Sequence, residues 1–512
     1  MKWVASDGLR DYYEVELEFR VVCLRYCFEL EDNAGNRVFF SNSGFTDTLP
    51  DDIERLFDCP QTLREEERFL APDWASDKVI YQIFPSRFAS HEEVEDKIWY
   101  QAPITANAAL GGSLKGIIQQ LPYIADLGVD VIYLTPIFYS NSCHKYDTID
   151  YYTIDPTFGT TDDLVMLVDK AHTLGLRVIL DGVFNHTSPE FFAFRDVVEK
   201  GENSRYKDWY YINKFPVCTI PMRHNYKCFS YFWDMPKVHL RCAAAADYFT
   251  EVALYWLRTA KVDGWRLDVA DEVSHGFWQY FRTQIKTEFP QALIVGEVWH
   301  HAPDFLQGDQ WDSVMNYPFY RAVLDYAAEG TLTASGFLGV MGFQRGNTHN
   351  AAHHLMWNLI GSHDTARILH LCGENKDRQK LCAALQLLTP GMPMIYYGDE
   401  VAMTGAKDPD CRRGMLWDES RQDKDMLSWY KRLLRVRKEI PAITRGKTVA
   451  EEARDKDGLI CVTRCLEDDE VTILFHAKED TISLPALSGK RNLLTDNVFD
   501  GKVQGITALV LK

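Results

Sequence analysis

Short apolar runs recur along the middle of the chain, and each has the length of a buried parallel strand. Between them, apolar residues return every three or four positions, which is the period of a helix packed on one face. Strands that alternate with helices in this way predict an α/β fold, a (β/α)₈ TIM barrel. The eight predicted strands are 79–84, 129–134, 177–183, 262–268, 292–298, 313–317, 359–363 and 393–397.

Two predicted helices show this period clearly. One has an apolar stripe at Leu114, Ile117, Ile118, Leu121, Ile124 and Leu127. The other begins at Thr160 or Thr161 as N-cap and is closed by Gly175. An open doubly wound sheet is the alternative to a barrel, but the glycine-rich phosphate-binding motif of such folds does not follow the first strand.

Segments whose residue pattern is typical of β-strands precede and follow the predicted barrel. Apolar and charged residues alternate over 13–21, as in a half-buried strand, and 460–463, 471–475 and 509–511 are short predicted strands. We therefore predict three domains. They are an N-terminal β-sandwich, carbohydrate-binding-like module at 1–75 that is cut short, a barrel at 76–440 with an inserted subdomain at about 187–243, and a C-terminal antiparallel β domain at 441–512.

Four of the apolar runs end in a carboxylate: Asp181, Asp268, Glu297 and Asp364. A parallel barrel gathers the C-terminal ends of its strands at one mouth, where the loops build the active site. We therefore expect these four acids to meet in space. A single acid of this kind could equally cap a helix or pair with a basic residue, whereas four at corresponding strand ends favour catalysis.

The residues that neighbour Asp268 and Glu297 predict different roles for these two acids. Residues two apart on a strand point to the same side, so the guanidinium should lower the pKa of Asp268 and keep it ionised as a nucleophile. Glu297 follows four apolar residues, and desolvation favours its protonated form. One ionised and one protonated carboxyl cleave acetals, and retaining enzymes hold them about 5–5.5 Å apart.

Two histidines, His186 and His363, follow predicted strands beside site acids. A lone histidine is more often structural than catalytic. Because each of these neighbours an acid, hydrogen bonding to substrate hydroxyls is the better interpretation. Neither belongs to a metal-ligand cluster, and no G-x-S-x-G motif provides a serine nucleophile.

The charge and composition of the chain indicate which kinds of molecule it can bind and where it is located. Lys and Arg number 55 against 74 Asp and Glu, a net charge of −19 that repels nucleic acid and anionic membranes and suits a neutral substrate. No apolar stretch is long enough to span a bilayer, and the first residues contain no signal-peptide core. The 12 cysteines lack zinc-site spacing, so we expect mostly buried thiols in a cytoplasmic protein.

The strand-end residues form four ordered motifs that resemble the signature regions of glycoside hydrolase family 13, the α-amylase family. These motifs are 181–186, 264–268, 296–299 and 363–364. Residues 235–239 resemble a fifth region of the cyclomaltodextrinase, neopullulanase and maltogenic amylase group, although His239 replaces the usual asparagine. Segments 144–148 and 408–413 and the N-terminal module also resemble that group.

The resemblance implies a role for each candidate residue. Asp268 would be the nucleophile, Glu297 the acid/base and Asp364 the transition-state stabiliser. The implied substrate-binding residues are Asp181, His186, Arg266 and His363 around the sugar at the cleavage point, Tyr146 stacked beneath it, Asp408 and Arg412 on the next sugar towards the non-reducing end, and Trp299 on the leaving portion.

The same resemblance implies a retaining hydrolase of α-1,4 bonds in cyclodextrins, pullulan or maltooligosaccharides, with some transglycosylation. Two alternatives stay open: a catalytically silent relative that binds carbohydrate or serves as a scaffold, and an enzyme that is mainly a transglycosylase. No cofactor is required. Calcium is possible, but residues 89–96 replace the usual glycine- and aspartate-rich loop. A homodimer is a possible assembly that the short N-terminal module leaves open.

Overall fold

The computed structural model describes residues 1–15, 17, 23–60 and 69–512. The strand predicted at 13–21 lies mostly outside these residues. The chain forms two compact units, one of Met1–Trp3 and Tyr13–Phe69 and the other of Val4–Tyr12 and Leu70–Lys512. The exact domain limits given above stay predictions.

The strands and helices of the described residues are numbered here in chain order. The strands are β1 (Lys2–Ser6), β2 (Asp11–Glu14), β3 (Cys23–Tyr26), β4 (Phe28–Glu31), β5 (Arg37–Ser41), β6 (Gly44–Thr46), β7 (Phe57–Pro60), β8 (Ile80–Ile83), β9 (Val131–Leu134), β10 (Phe138–Tyr139), β11 (Asp150–Ile154), β12 (Arg177–Gly182), β13 (Gly264–Leu267), β14 (Leu293–Gly296), β15 (Ser313–Val314), β16 (Trp357–Leu359), β17 (Met392–Tyr396), β18 (Lys447–Arg454), β19 (Leu459–Leu466), β20 (Asp469–His476), β21 (Thr481–Ser483), β22 (Lys502–Gln504) and β23 (Thr507–Leu511). The helices are α1 (Pro85–Phe88), α2 (Asp96–Trp99), α3 (Leu114–Leu127), α4 (Thr161–Thr173), α5 (Phe192–Lys200), α6 (Ala243–Thr259), α7 (His275–Glu288), α8 (Tyr317–Val323), α9 (Ala334–Asn347), α10 (Asn350–His353), α11 (Ile368–Leu371), α12 (Lys376–Leu388), α13 (Lys424–Glu439) and α14 (Ala442–Arg445).

Eight parallel strands form the barrel, in the order β15, β14, β13, β12, β9, β8, β17 and β16. A parallel bridge between Met315 and Trp357 joins the two end strands, so the sheet closes on itself. This closure confirms the predicted barrel and excludes the open doubly wound sheet. Its strands are buried, as expected for a parallel sheet covered by helices.

Helix ends follow local sequence rules. The Ser113 hydroxyl accepts a hydrogen bond from the Gly116 backbone N–H and starts α3, and Gly128 in the left-handed region (φ 97°) ends it. Thr160, one of the two predicted N-caps, starts α4 through a capping box with Asp163. These caps orient two helices that cover the outside of the barrel.

One strand of the barrel does not lie where the sequence predicts it. Strand β16 ends at Leu359, so the strand predicted at 359–363 is wrong in position. The apolar run continues past the strand into a turn, in which the Ser362 backbone N–H donates to the Thr365 hydroxyl at 2.9 Å. His363 and Asp364 are therefore carried by a loop at the barrel mouth.

Antiparallel sheets flank the barrel in sequence. Strands β18, β19, β20 and β23 form a four-stranded antiparallel sheet, which confirms the predicted C-terminal β domain. In the smaller unit, β3 pairs with β7, and β4, β5 and β6 form a second antiparallel sheet.

A close approach between two barrel strands gives the first prediction. A Cβ atom at Gly264 would lie 2.2 Å from the Leu293 carbonyl oxygen, inside the β13–β14 ladder that carries the site. Gly264→Ala should therefore lower the free energy of unfolding by about 1–3 kcal/mol. A Cβ atom at Gly276 in α7 would meet no neighbouring atom within 4 Å, so Gly276→Ala should be neutral or stabilising. Urea unfolding followed by fluorescence measures both, and equal stabilities would contradict the prediction.

Candidate active site

The centre of the site is one buried guanidinium. Arg266 on β13 is fully buried, and its Nη1 donates to Asp181 on β12 and to the Asp268 Oδ1 at 2.9 Å. Its Nη2 forms an ion pair with the Glu297 Oε2, also at 2.9 Å. Three of the four acids that the sequence places at strand ends therefore surround a single cation, and the predicted same-side placement of Arg266 and Asp268 is confirmed.

Glu297 is held by its neighbours on the other side. The Val269 backbone N–H donates to Oε2 at 3.0 Å, and the Trp299 indole N–H lies 3.3 Å from Oε1. Val269 adopts φ 46° and ψ 45°, a left-handed conformation that is uncommon for a β-branched residue. This backbone turn directs the N–H at the carboxyl. Trp299 is half exposed and stacks on Tyr317, with 3.7 Å between ring centroids.

The fourth acid belongs to a second group of contacts. The Asp364 carboxylate lies 3.2 Å from the His363 Nε2 and accepts from the Arg412 Nη2 at 3.1 Å. Arg412 also donates to the His363 carbonyl oxygen and pairs with Asp408 at 2.9 Å. Arg412 therefore ties the loop that carries Asp364 to the loop that carries Asp408.

Tyr146 joins the two groups. Its hydroxyl donates to Asp181 at 3.1 Å and lies 2.5 Å from the His363 Nε2, and its ring stacks parallel to that imidazole. The Tyr146 carbonyl oxygen lies 3.2 Å from the His186 Nε2. The structure thus brings all eleven candidate residues into one connected network at the barrel mouth.

Burial dominates the electrostatics of the acids. Burial raises the pKa of Asp268 well above its usual range, although the Arg266 guanidinium opposes that shift. The expectation that Arg266 would hold the pKa of Asp268 low is therefore wrong for the free protein. Burial likewise raises the pKa of Asp181 to about 6, again against Arg266. Because Asp181 and Asp268 share one cation, they titrate together rather than singly.

Burial also keeps the two histidines neutral. It lowers the pKa of His186 to about 3 and that of His363 well below its usual range. Neutral imidazoles can donate or accept hydrogen bonds with sugar hydroxyls without adding charge. This arrangement suits an uncharged polyhydroxylated substrate, as the sequence predicts.

The sequence analysis does not predict four further contacts in the site. The Gln82 side chain lies 2.8 Å from the His363 Nδ1, and the Tyr133 hydroxyl donates to Asp181 at 2.6 Å. Phe229 of the insertion stacks on His186, and Val269 contributes only its backbone N–H. Gln82 and Tyr133 sit inside strands among apolar residues, where an inward-facing polar side chain is the only signal that could have identified them.

The described ranges contain neither a metal-binding cluster nor a membrane-spanning helix. Within 1–15, 17, 23–60 and 69–512, His, Cys, Asp and Glu side chains do not gather in threes or more as a metal would need. In the same ranges, every helix is too short or too polar to pass through a lipid bilayer.

Comparison with known families agrees with this geometry. Residues 82–435 match the family "Alpha amylase, catalytic domain", and residues 1–62 match "Alpha amylase, N-terminal ig-like domain". The catalytic-domain match covers most of the barrel. The N-terminal match confirms a β-sandwich module before the barrel.

Known proteins match over nearly the whole chain. A cyclomaltodextrinase from Thermoanaerobacter pseudethanolicus is 42% identical over 96% of this chain and 88% of its own length. Neopullulanase 2 from Thermoactinomyces vulgaris is 41% identical over 99% of this chain and 88% of its own length. A solved cyclomaltodextrinase structure superposes with a TM-score of 0.94 at 36% identity, covering 100% of this chain and 91% of that one. The chain belongs to the α-amylase family of glycoside hydrolases.

Proposed function

We propose that this protein is a retaining α-glucan hydrolase that cleaves α-1,4-glucosidic bonds of cyclodextrins, pullulan or maltooligosaccharides. Relatives named cyclomaltodextrinase and neopullulanase support that substrate class. The observation that carries the mechanism is that one guanidinium, Arg266, contacts both Asp268 and Glu297 at 2.9 Å. Two carboxyls within reach of one planar cation can act together on a single bond, and we expect the retaining separation of about 5–5.5 Å between them.

In the first step, the Asp268 carboxylate attacks the anomeric carbon and forms a covalent glycosyl ester. The bond from that carbon to the leaving oxygen breaks, and Glu297 donates its proton to that oxygen. We assign the proton to the Glu297 Oε1, because Oε2 already accepts from the Val269 N–H and faces Arg266. Arg266 contacts the Asp268 Oδ1 at 2.9 Å and stabilises its ionised form.

In the second step, Glu297 acts as a base. It takes a proton from a water molecule, and the resulting nucleophile attacks the anomeric carbon from the side that the leaving group vacated. The ester bond to Asp268 breaks, the carboxylate is regenerated and Glu297 recovers its proton. Two inversions give net retention of the α-configuration.

The remaining residues hold the sugar at the cleavage point. We assign transition-state stabilisation to Asp364, whose carboxylate is oriented by His363 and Arg412. Asp181 and His186 provide hydrogen-bonding groups around the same sugar, and the Tyr146 ring provides an apolar platform beneath it. Asp408 and Arg412, paired at 2.9 Å, are assigned to the next sugar towards the non-reducing end.

We further propose that the chemistry needs no cofactor, because the two carboxyls supply the nucleophile and the transferred proton. All twelve cysteines lie in the described part of the chain and are free thiols, which supports a reducing, cytoplasmic location. A homodimer stays a proposal that the mass in solution would test.

Gln82 fixes the tautomer of His363 in this scheme. Burial lowers the pKa of His363, so the ring is neutral and carries one proton. Its Nε2 lies 2.5 Å from the Tyr146 hydroxyl oxygen, whose own proton is donated to Asp181, and 3.2 Å from the Asp364 carboxylate. Both oxygens can accept, so the proton lies on Nε2 and Nδ1 is an acceptor. The Gln82 amide N–H, 2.8 Å from Nδ1, then donates to it. Gln82 is therefore a positioning residue that keeps the Nε2–H directed at Asp364 and the sugar.

The position of the half-exposed Trp299 supports a second activity, transglycosylation, in which the cleaved sugar is transferred to another sugar instead of to water. It lies beside Glu297 on the side assigned to the leaving group, where its ring can hold an acceptor sugar in place of water. With maltotriose we expect mainly shorter products and a minor fraction of longer ones. Chromatography with mass spectrometry measures the ratio. Longer products in excess would make the protein mainly a transglycosylase, and no products at all would favour a silent carbohydrate-binding relative.

Asp268→Asn tests the assigned nucleophile. The variant keeps the shape of the side chain but removes the attacking charge, so turnover of β-cyclodextrin should fall by at least about 10³-fold. Circular dichroism should match that of the wild type. Asp304→Asn, at an exposed position, is the matched control and should retain full activity. Wild-type rates in the Asp268 variant would exclude it as the nucleophile.

Gln82→Glu and Gln82→Met test the tautomer assignment. A carboxylate at Gln82 would accept from Nδ1–H and stabilise either the wrong tautomer or the charged imidazole, so it should reduce kcat more than methionine does. Nitrogen NMR of His363 should show Nδ1 unprotonated in the wild type and protonated in Gln82→Glu, and the pH profile of kcat/KM should shift only in that variant. Gln119→Glu, on the exposed face of α3, is the control. Identical NMR signals and pH profiles in the wild type and Gln82→Glu would refute the assignment.

A further inference from the structure

A buried arginine outside the catalytic network has no carboxylate partner in the described part of the chain. Arg87 lies in α1, directly after barrel strand β8, and is only 1% exposed. Its Nη2 donates to the Cys143 sulfur at 3.7 Å, whereas its Nε and Nη1 are inaccessible to solvent and make no hydrogen bond with the described residues. A guanidinium has five N–H donors, and the three on Nε and Nη1 therefore have no acceptor.

The surroundings of this guanidinium do not compensate its charge. Burial lowers the pKa of Arg87, and the groups that chiefly oppose this shift are Cys143, Tyr397 and Tyr396, none of which is a carboxylate. A buried cation without a contacting anion is unfavourable. An anion formed beside Arg87 would therefore be stabilised.

The sulfur of Cys143 is placed to carry that negative charge. Cys143 is partly exposed, so small molecules can reach it, and its S–H donates to the carbonyl oxygen of Ala106 in an exposed loop. Reactive cysteines are typically partly exposed and lie beside a cation, because the thiolate is the nucleophile. Cys143 combines both features, and an anionic product of its oxidation would face the same guanidinium.

Solvent exposure alone would select a different cysteine. Among the twelve described cysteines, only Cys59 on β7 is exposed. Its neighbour in the chain, Asp58, is an acid whose carboxylate pairs with Arg25 at 3.0 Å. A comparison of Cys143 with Cys59 therefore separates the effect of a contacting guanidinium from the effect of solvent access.

The turn that carries Cys143 also carries Tyr146. The Ser142 hydroxyl accepts from the Lys145 backbone N–H at 3.0 Å, and Lys145 adopts a left-handed conformation with φ 65°. The Tyr146 backbone N–H donates to the His144 Nδ1 at 3.1 Å. A displacement at Cys143 would therefore move Tyr146, which joins the two groups of site residues.

We propose that Cys143 is a peroxide modification site, at which hydrogen peroxide oxidises the thiol to a sulfinate that Arg87 binds. The sulfur attacks one peroxide oxygen and the O–O bond breaks, which gives a sulfenic acid, while the thiol proton and the released hydroxide form water. A second hydrogen peroxide molecule adds another oxygen to the sulfur and is reduced to water. The resulting sulfinic acid loses its proton to solvent.

The product fits the guanidinium and disturbs the turn. A sulfinate has two oxygens, which match Nη2 and an adjacent unpartnered donor of Arg87 as the oxygens of a carboxylate would. It has no S–H, so it loses the hydrogen bond to the Ala106 carbonyl oxygen and places an anion beside that oxygen. We therefore expect the turn to move and the activity to fall.

Peptide mass spectrometry of the full chain treated with hydrogen peroxide tests the proposal. The peptide that contains Cys143 should gain two oxygen atoms at least about tenfold faster than the peptide that contains Cys59. Arg87→Gln removes the contacting charge and should abolish that preference, whereas Arg195→Gln, at an exposed position of α5, is the matched control and should keep it. Oxidation of Cys59 as fast as that of Cys143 in the wild type would overturn the proposal, as would an undiminished preference in Arg87→Gln.

Cysteine variants keep the proposal testable if Arg87→Gln fails to fold. Peroxide treatment, ended with catalase, should lower kcat/KM for β-cyclodextrin by about tenfold or more in the wild type and in Cys59→Ser, because the displaced turn carries Tyr146. Cys143→Ser should start at the activity of the untreated wild type and keep it. Equal losses in Cys143→Ser and the wild type would contradict the proposal. The oxidation is measured by mass and independently of hydrolysis, so its absence would leave the proposed enzymatic function intact.

Discussion

The site depends on one buried positive charge shared by three carboxyls. Arg266 has no solvent contact and meets Asp181, Asp268 and Glu297, each at about 2.9 Å. Three acids close together in a barrel interior repel one another, and the Arg266 guanidinium offsets part of that repulsion. The contacts that reduce the repulsion among the three carboxyls also fix the distance between Asp268 and Glu297, the two groups assigned to catalysis.

The register of the parallel strands places the acidic side chains next to the Arg266 guanidinium. Asp181 on β12 lies directly beside Arg266 on β13, and Leu267 at the end of β13 pairs with Gly296 at the end of β14. Asp268 and Glu297 each follow one of these last paired residues. Because neighbouring parallel strands stop at the same level, their next residues emerge together at the mouth of the barrel. A shift of one residue in either ladder would turn a carboxyl away from the site.

Much of this arrangement could be predicted from the sequence, and the remainder depends on tertiary structure. Apolar runs ending in acids identified the barrel, its mouth and all four carboxyls, because strand burial and residue order are local properties. The position of β16 was missed because an apolar run does not show where hydrogen bonding between strands stops. The pairing of Gln82 with His363 joins residues 281 positions apart, which no local pattern encodes. The direction of the Asp268 pKa was misjudged because the sequence reveals its charged neighbour but not the degree of its burial.

The central claim is that Asp268 becomes covalently bonded to the sugar while Glu297 supplies the proton. The most direct measurement uses Glu297→Gln with α-maltosyl fluoride, whose fluoride leaves without protonation, so the first step proceeds while the second is slow. Mass spectrometry of the digested protein should then show one maltosyl group on the peptide that contains Asp268. No adduct, an adduct on another residue, or release of a β-configured sugar would contradict this claim.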